Sequence, residues 1–344
     1  MKLCTFQHAS TARIGIVDPL QQTVLDLQST HERLHAHASP LLRSMQDLIA
    51  AGEPGLDLAR ELQTQATGQG LPTLPLDSIQ LRAPLPEPRQ IRCFSVYEKH
   101  MLQSRTRVAE MRRKAAGNTE AAPPVLQLDP LYYQQPAFYF TNRFNVVGPD
   151  AEIECPAYSG LLDYELEVGM VVGRGGRNLD ARHARAHIFG YTVFNDYSAR
   201  EQVLRDMELK LGPSKGKSFD TANAMGPWIV TTDEIADVQS LQAQVRVNGE
   251  LRATATTADM LFSFEELLAY ASRDETLRPG EFFASGTLGD GSGMEIDRWI
   301  QPGDVVECEV GSLGILRNRI AGNTAHRDNG RESPEQTPAG LFLT

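Results

Sequence analysis

From residue 91 onward the chain alternates short apolar runs with Gly, Pro and Asp punctuation. This pattern predicts strands over 136–148, 164–173, 188–195, 226–231, 241–247, 282–287 and 305–310. Helices are expected over 97–115, 180–187, 199–211 and 263–272. Nearer the N-terminus, Arg13-Ile14-Gly15-Ile16-Val17 and Thr23-Val24-Leu25-Asp26-Leu27 flank the turn signal Asp18-Pro19, which predicts a small β unit within 1–30. Ser39-Pro40 reads as a helix cap with proline at the first helical position. Leu41, Leu42, Met45, Leu48 and Ile49 follow at helical spacing, and Gly52 stops them. A second short helix is expected over 56–66. Ala83-Pro84-Leu85-Pro86-Glu87-Pro88 reads as a stiff, extended linker. A small N-terminal α/β domain of 1–85 and a larger domain of 86–344 are therefore expected. Many short strands with few helices make the larger domain α+β, mostly β, with a sandwich or rolled barrel as its architecture.

Composition narrows the classes. A chain of 344 residues can bury a full core. Its net charge of −11 argues against a nucleic-acid partner and against docking on an anionic membrane. No apolar run reaches membrane-spanning length, and the first residues show no signal-peptide apolar region. Cys4, Cys93, Cys155 and Cys308 are scattered without CxxC spacing, which fits free thiols in a reducing cytoplasm. A soluble cytoplasmic protein is expected.

One pattern points to chemistry. Leu162-Asp163-Tyr164-Glu165-Leu166-Glu167 leads into the apolar run Gly169-Met170-Val171-Val172. On a strand, Glu165 and Glu167 share a face about 7 Å apart. Two like charges on a buried face raise each other's pKa unless a cation lies between them. Asp196 ends another apolar run, Ile188 to Phe194, and is the natural third ligand. Oxygen ligands favour Mg²⁺ first, with Ca²⁺ or Mn²⁺ as alternatives, over zinc or copper.

Other features read two ways. Segment 101–128 carries Arg105, Arg107, Arg112, Arg113 and Lys114, so it is either a solvated helix with a loop or a lid over an anionic substrate. Gly173-Arg174-Gly175-Gly176 lacks the spacing of a dinucleotide loop and reads as a hairpin turn. His31, His35 and His37 could be ligands, but their polar setting favours a structural role.

From about 91 to 320 the chain resembles the fumarylacetoacetate hydrolase superfamily. The resemblance rests on the carboxylate segment and on His187-Ile188-Phe189-Gly190-Tyr191-Thr192-Val193-Phe194-Asn195-Asp196-Tyr197-Ser198-Ala199-Arg200. It continues in Leu211-Gly212-Pro213, Lys215-Gly216-Lys217-Ser218-Phe219, Gly226-Pro227-Trp228, Ser285-Gly286-Thr287 and Pro302-Gly303-Asp304-Val305-Val306-Glu307. It implies the superfamily's mixed β-sandwich or rolled-barrel catalytic domain, a divalent metal on Glu165, Glu167 and Asp196, and a homodimer. Cys93 falls where some members have a fourth carboxylate, so water or a three-carboxylate site is expected there.

The resemblance also implies roles. Tyr97-Glu98-Lys99-His100 resembles the segment bearing the family's catalytic histidine, which makes His100 the candidate general base. Glu295 is its expected partner, with Glu98 a weaker candidate. Other members use a glutamate where this chain has Gln103. Lys217 and Arg200 fall on residues that would stabilise an oxyanion, although each also has a structural reading. Thr287 and Tyr139 are expected to line the substrate pocket.

The reaction implied is metal-dependent hydrolysis of a carbon–carbon bond in a 1,3-dicarbonyl or acylpyruvate-type acid. Decarboxylation of a 2-oxo acid, or hydratase or isomerase chemistry, on the same metal-enolate site is the alternative. A non-catalytic ligand-binding protein is a further one. After Arg200 the run Glu201-Gln202-Val203, with Met207, departs from members that cleave fumarylacetoacetate, which puts that compound in doubt as the substrate.

Overall fold

The computed structural model describes residues 1–117 and 126–322. Strands β1 (Lys2–His8), β2 (Thr11–Asp18) and β3 (Thr23–Asp26) form an antiparallel meander. The first of these is absent from the sequence expectation, yet its Leu3, Cys4 and Phe6 are fully buried. Asp26 caps helix α1 (Leu27–His35) by accepting from the Ser29 amide. The helix expected after Ser39-Pro40 divides in two. Ser39 caps one 3₁₀ turn, Pro40–Leu42, and Ser44 recaps the chain for α2 (Met45–Ala51), which stops at Gly52. Helix α3 (Glu53–Gln69) outruns the expected 56–66 at both ends.

The larger part contributes β4 (Ile91–Phe94), α4 (Glu98–Ala115), β5 (Phe138–Phe140), β6 (Leu166–Val172), β7 (Ile188–Asp196), α5 (Arg200–Glu208) and β8 (Asn223–Thr231). Then come β9 (Gln242–Val247), β10 (Glu250–Thr256), α6 (Phe264–Ala271), β11 (Phe282–Ala284), α7 (Gly293–Ile296), β12 (Val305–Val310) and β13 (Gly314–Ile320). The large sheet runs β3-β2-β1-β8-β7-β6-β11-β4-β5, antiparallel except where β11 meets β4. The second sheet runs β10-β9-β12-β13. Because β1 pairs with β8, with Leu3 opposite Ile229, the N-terminal meander continues the sheet that carries the carboxylates.

Burial on both faces explains the unbroken apolar runs of β6 and β7. One face packs Val171, Phe189, Phe194 and Phe282 against Leu48, Ile49 and Leu62 of α2 and α3. The other packs Val168, Met170, Tyr191 and Val193 against the second sheet and Phe264, Leu267 and Leu268 of α6. A Ser263–Glu266 capping box starts α6. The α+β class holds, but helix content matches strand content and, among the described residues, the sheets stay open with no closed barrel.

Local departures have physical causes. Of 136–148 only Phe138–Phe140 and Val146–Val147 are extended. The stretch 180–187 is 3₁₀ rather than α. Gly173 does not start a tight hairpin; its amide and that of Arg174 reach the His187 carbonyl and close a longer connection into β7. Among the described residues no helix is long and apolar enough to cross a membrane.

Candidate active site

The site is built where two strands meet. Regular pairing is interrupted only at Tyr164, between the short Leu162–Asp163 strand and β6, and Glu165 bridges antiparallel to Ser292. The segment is also fixed to the end of β7: Asn195 Oδ1 accepts from the Glu165 amide at 2.9 Å, and the Asp196 amide donates to the Glu165 carbonyl at 3.1 Å. Glu165, Glu167 and Asp196 each turn an oxygen inward, within 4.8 Å of one another, and all three are buried.

Two buried cations answer these acids. Lys217 Nζ lies 2.5 Å from Glu165 Oε2 and 2.9 Å from Asp196 Oδ2, and donates to the Asp196 carbonyl at 3.0 Å. Arg200 Nη2 lies 2.7 Å from both Asp163 Oδ2 and Glu165 Oε1, and its Nε donates to Asp163 Oδ2 at 2.8 Å. Burial alone would push the Glu165 carboxyl up, but Lys217, Arg200 and His100 outweigh it and hold it well below the carboxylate range. Glu167 goes the other way. Burial and the charges of Asp196 and Glu165 push it up, with the Gly286 amide its hydrogen-bond donor at 3.1 Å. Gly286 sits at φ +86°, and a Cβ there would lie 2.4 Å from the Phe94 carbonyl oxygen, so only glycine delivers that amide.

His100 projects from the first turn of α4. Its Nδ1 is 3.2 Å from Glu295 Oε2, though off the line of a hydrogen bond, and its Nε2 is 4.0 Å from Glu165 Oε1. Burial would lower the imidazole pKa, but Glu295 and Glu165 reverse that and raise it. Glu295 is held rigidly, accepting from the Ser292 amide and hydroxyl at 2.8 and 2.7 Å and from the Asp290 amide at 3.0 Å. Lys99 and Gln103 reach Asp290 at 2.5 and 2.7 Å, and Arg107 reaches Asp297 at 3.3 Å. One face of α4 thus fastens to the segment carrying Glu295. Glu98 instead bonds the Tyr133 hydroxyl.

Tyr139 donates to Asp196 Oδ2 at 2.5 Å. Cys93, opposite Tyr139 in the sheet, is buried beside the acids, and burial together with Asp196 and Glu167 keeps its thiol protonated. A neutral thiol suits a hard cation poorly. Thr287 is buried one residue beyond Gly286. His31, His35 and His37 lie on α1 and the turn after it, outside this cluster. The basic side chains of 101–128 are partly engaged, Arg107 with Glu110 and Asp297, and Arg112 with Glu208. Residues 118–125, the centre of the expected lid loop, lie outside the described residues.

The donor set fits a divalent cation. Asp163, Glu165, Glu167 and Asp196 are four buried carboxylates against the two buried cations Arg200 and Lys217, which leaves two negative charges unbalanced. Asp196 Oδ1 is buried with no hydrogen-bond partner among the described residues. An orphaned carboxylate oxygen is costly unless something positive takes it. All-oxygen ligands select a hard ion.

Asp163 and Asn195 are not flagged by the sequence pattern. Asp163 is fully buried; besides Arg200 it accepts from the amides of Tyr164, Gly293 and Met294 at 2.9, 2.8 and 3.0 Å, tying α7 to the carboxylate strand. The available signal is its placement at i−2 from Glu165 in equally apolar surroundings.

Comparison with known proteins agrees with this architecture. The family model for the fumarylacetoacetate hydrolase C-terminal region matches residues 104–321. A mitochondrial oxaloacetate tautomerase of Xenopus laevis is 31% identical over 329 residues, covering 93% of this chain and 90% of that protein. The oxaloacetate tautomerase YisK of Bacillus subtilis is 28% identical, covering 93% of this chain and all of that protein. The solved fumarylacetoacetate hydrolase of Exiguobacterium antarcticum superposes with a TM-score of 0.69 at 28% identity, covering 94% of this chain and all of that one. With the carboxylate cluster in place and the match spanning most of its length, the chain belongs to the fumarylacetoacetate hydrolase family of enzymes.

Proposed function

We propose that this protein is a divalent-metal-dependent enzyme that moves a proton on an enolisable 2-oxo acid, interconverting the keto and enol forms of a dicarboxylate of the oxaloacetate class. The observation carrying this reading is the position of His100. It sits between a fixed carboxylate, Glu295 at 3.2 Å, and the ligand cluster, Glu165 at 4.0 Å. A proton carrier placed there works directly beside any substrate oxygen drawn to the cluster. The oxaloacetate tautomerases among the relatives support the substrate class.

In this mechanism Glu165, Glu167 and Asp196 would hold the cation, which would supply Lewis acidity to the bound 2-oxo acid. His100, oriented by Glu295, carries the proton lost from the enol oxygen and delivers one to the neighbouring carbon, so the reaction balances without a co-reactant. Lys217, engaged by Glu165 and Asp196, keeps positive charge beside the ligand cluster where the enolate oxygen develops. Arg200 holds Asp163 and Glu165 in position, because its guanidinium is already engaged by both. Tyr139 and Thr287 line the pocket.

Carbon–carbon hydrolysis of an acylpyruvate is the second reading. It is favoured by the same dyad, which could also take a proton from an attacking water, and by the likeness to the Exiguobacterium hydrolase. The test is to follow ketonisation of enol-oxaloacetate by its ultraviolet absorbance, with Mg²⁺ or Mn²⁺ and with chelator, and to run acylpyruvates and oxaloacetate in parallel. Metal-dependent ketonisation supports the first reading, and two carboxylic products from acylpyruvates support the second. Release of CO₂ from oxaloacetate points to decarboxylation. Full activity under chelation overturns the metal-dependent reading altogether.

A further inference from the structure

Helix α1 ends in an arrangement that the proposed reaction does not use. His31 and His35 lie one turn apart on one face of the helix, at the i, i+4 spacing that brings side chains together. Ala36 then takes the left-handed conformation at φ +61°, which reverses the chain and lays His37 back over the helix end. The three ring centres are 4.5 Å (His31–His35), 5.1 Å (His31–His37) and 6.3 Å (His35–His37) apart, and no two rings stack face to face.

We infer that His31, His35 and His37 form a second metal site, distinct from the carboxylate cluster and selective for a borderline transition-metal dication of the Zn²⁺ class. Three observations carry it. Metal–nitrogen bonds of about 2.0–2.1 Å at tetrahedral angles put imidazole centres about 5 Å apart; the two separations from His31 are close to that value, and the His35–His37 one is wider. Two of the rings are already oriented by backbone. His31 Nδ1 is 2.8 Å from the His37 carbonyl and His37 Nδ1 is 3.1 Å from the Ala38 carbonyl. A carbonyl can only accept, so each Nδ1 carries a proton, which in the neutral ring makes Nε2 the ligand atom, the way metal-bound imidazoles are held. Finally, the site lies at the carboxyl end of a helix, where the backbone dipole favours positive charge.

His31 is buried and fixed, whereas His35 and His37 are exposed. In the present rotamers the three rings do not share a 4.8 Å ligand sphere as the carboxylates do, so exposed His35 turns to close the site while His31 and His37 keep their backbone contacts. Imidazole ligands prefer Zn²⁺, Ni²⁺ or Cu²⁺ to Mg²⁺, so the two sites sort different ions by ligand type. Binding would fasten the end of α1 to the turn that follows it.

The test is calorimetric titration of tag-free, full-length protein with Zn²⁺ in excess Mg²⁺, paired with thermal unfolding. One Zn²⁺ per chain is expected, with a rise in unfolding temperature and with binding retained in Glu167→Gln. His35→Ala combined with His37→Ala should weaken binding by more than the roughly 10–100-fold that loss of an outer-sphere partner costs a metal site. It should leave the Mg²⁺-supported activity unchanged. Absence of stoichiometric Zn²⁺ binding, binding indifferent to the histidine substitutions, or binding abolished by Glu167→Gln would each overturn the assignment.

Discussion

Asp163 and Arg200 share a single oxygen: Nε and Nη2 of the arginine lie 2.8 and 2.7 Å from Asp163 Oδ2, and both residues are buried. The same carboxylate receives the first amides of α7, so a charge pair and the Glu295 segment depend on one side chain. Asp163→Asn keeps the shape but removes the charge and leaves Arg200 under-compensated. A destabilisation of about 3–5 kcal/mol is expected, the range for breaking a buried pair from one side. Denaturant unfolding measures it, and an unchanged midpoint would refute the assigned role.

Among the described residues no lysine or arginine pairs with Glu167, and burial with its acidic neighbours disfavours its charge, which a bound cation would stabilise. Glu167→Gln should abolish the rise in unfolding temperature on adding Mg²⁺ or Mn²⁺. It should leave the metal-free protein at least as stable as the metal-free parent, because like-charge repulsion falls. Matched melting curves with and without metal decide this, and a retained metal response would contradict the ligand assignment.

His100 acts as a base only when neutral, and Glu295 helps to raise its pKa. Activity should therefore climb with pH through a value above the ordinary histidine range. Glu295→Gln removes the anion favouring imidazolium, so the rising limb should move to lower pH while the maximal rate falls. His100→Gln should cost about 10²–10⁴ in kcat. A pH–rate profile whose acid limb is unmoved by Glu295→Gln would count against the dyad.

The grip of α4 on the Glu295 segment depends on Asp290. Its contact with Lys99 is half exposed, so Asp290→Ala should cost only about 0–1 kcal/mol of global stability. Release of Lys99 and Gln103 should nonetheless increase amide exchange across α4 and lower kcat/KM. Exchange that rises elsewhere but not in α4 would show that other contacts hold the helix.

The carboxylate cluster was legible because water does not favour acids embedded in apolar runs, and Glu165, Glu167 and Asp196 stand out for that reason alone. His100 and Glu295 needed the family resemblance, since nearly two hundred residues separate two groups that the fold brings to 3.2 Å. Asp163 was hidden because its partners are backbone amides of a distant turn, which leave no mark on composition. Strand β1 pairs with the adjacent β2 and with the distant β8, and only the second contact leaves no local trace in the sequence. Glu165 and Glu167, two residues apart, turn to one cluster with Asp196 as strand alternation requires, with Glu165 bridging Ser292 just before β6 begins.

The pairing of β1 with β8 also bears on how the protein is made. The two strands that meet there are more than two hundred residues apart, so the catalytic sheet cannot be completed until late in synthesis. Until then β1, made first, lacks this partner along its edge, the kind of edge on which chains aggregate. Removing the first 85 residues would instead leave the matching edge of β8 unpaired and uncover the apolar face that α2 and α3 cover. The N-terminal meander therefore acts as an edge guard for the sheet that holds the acids.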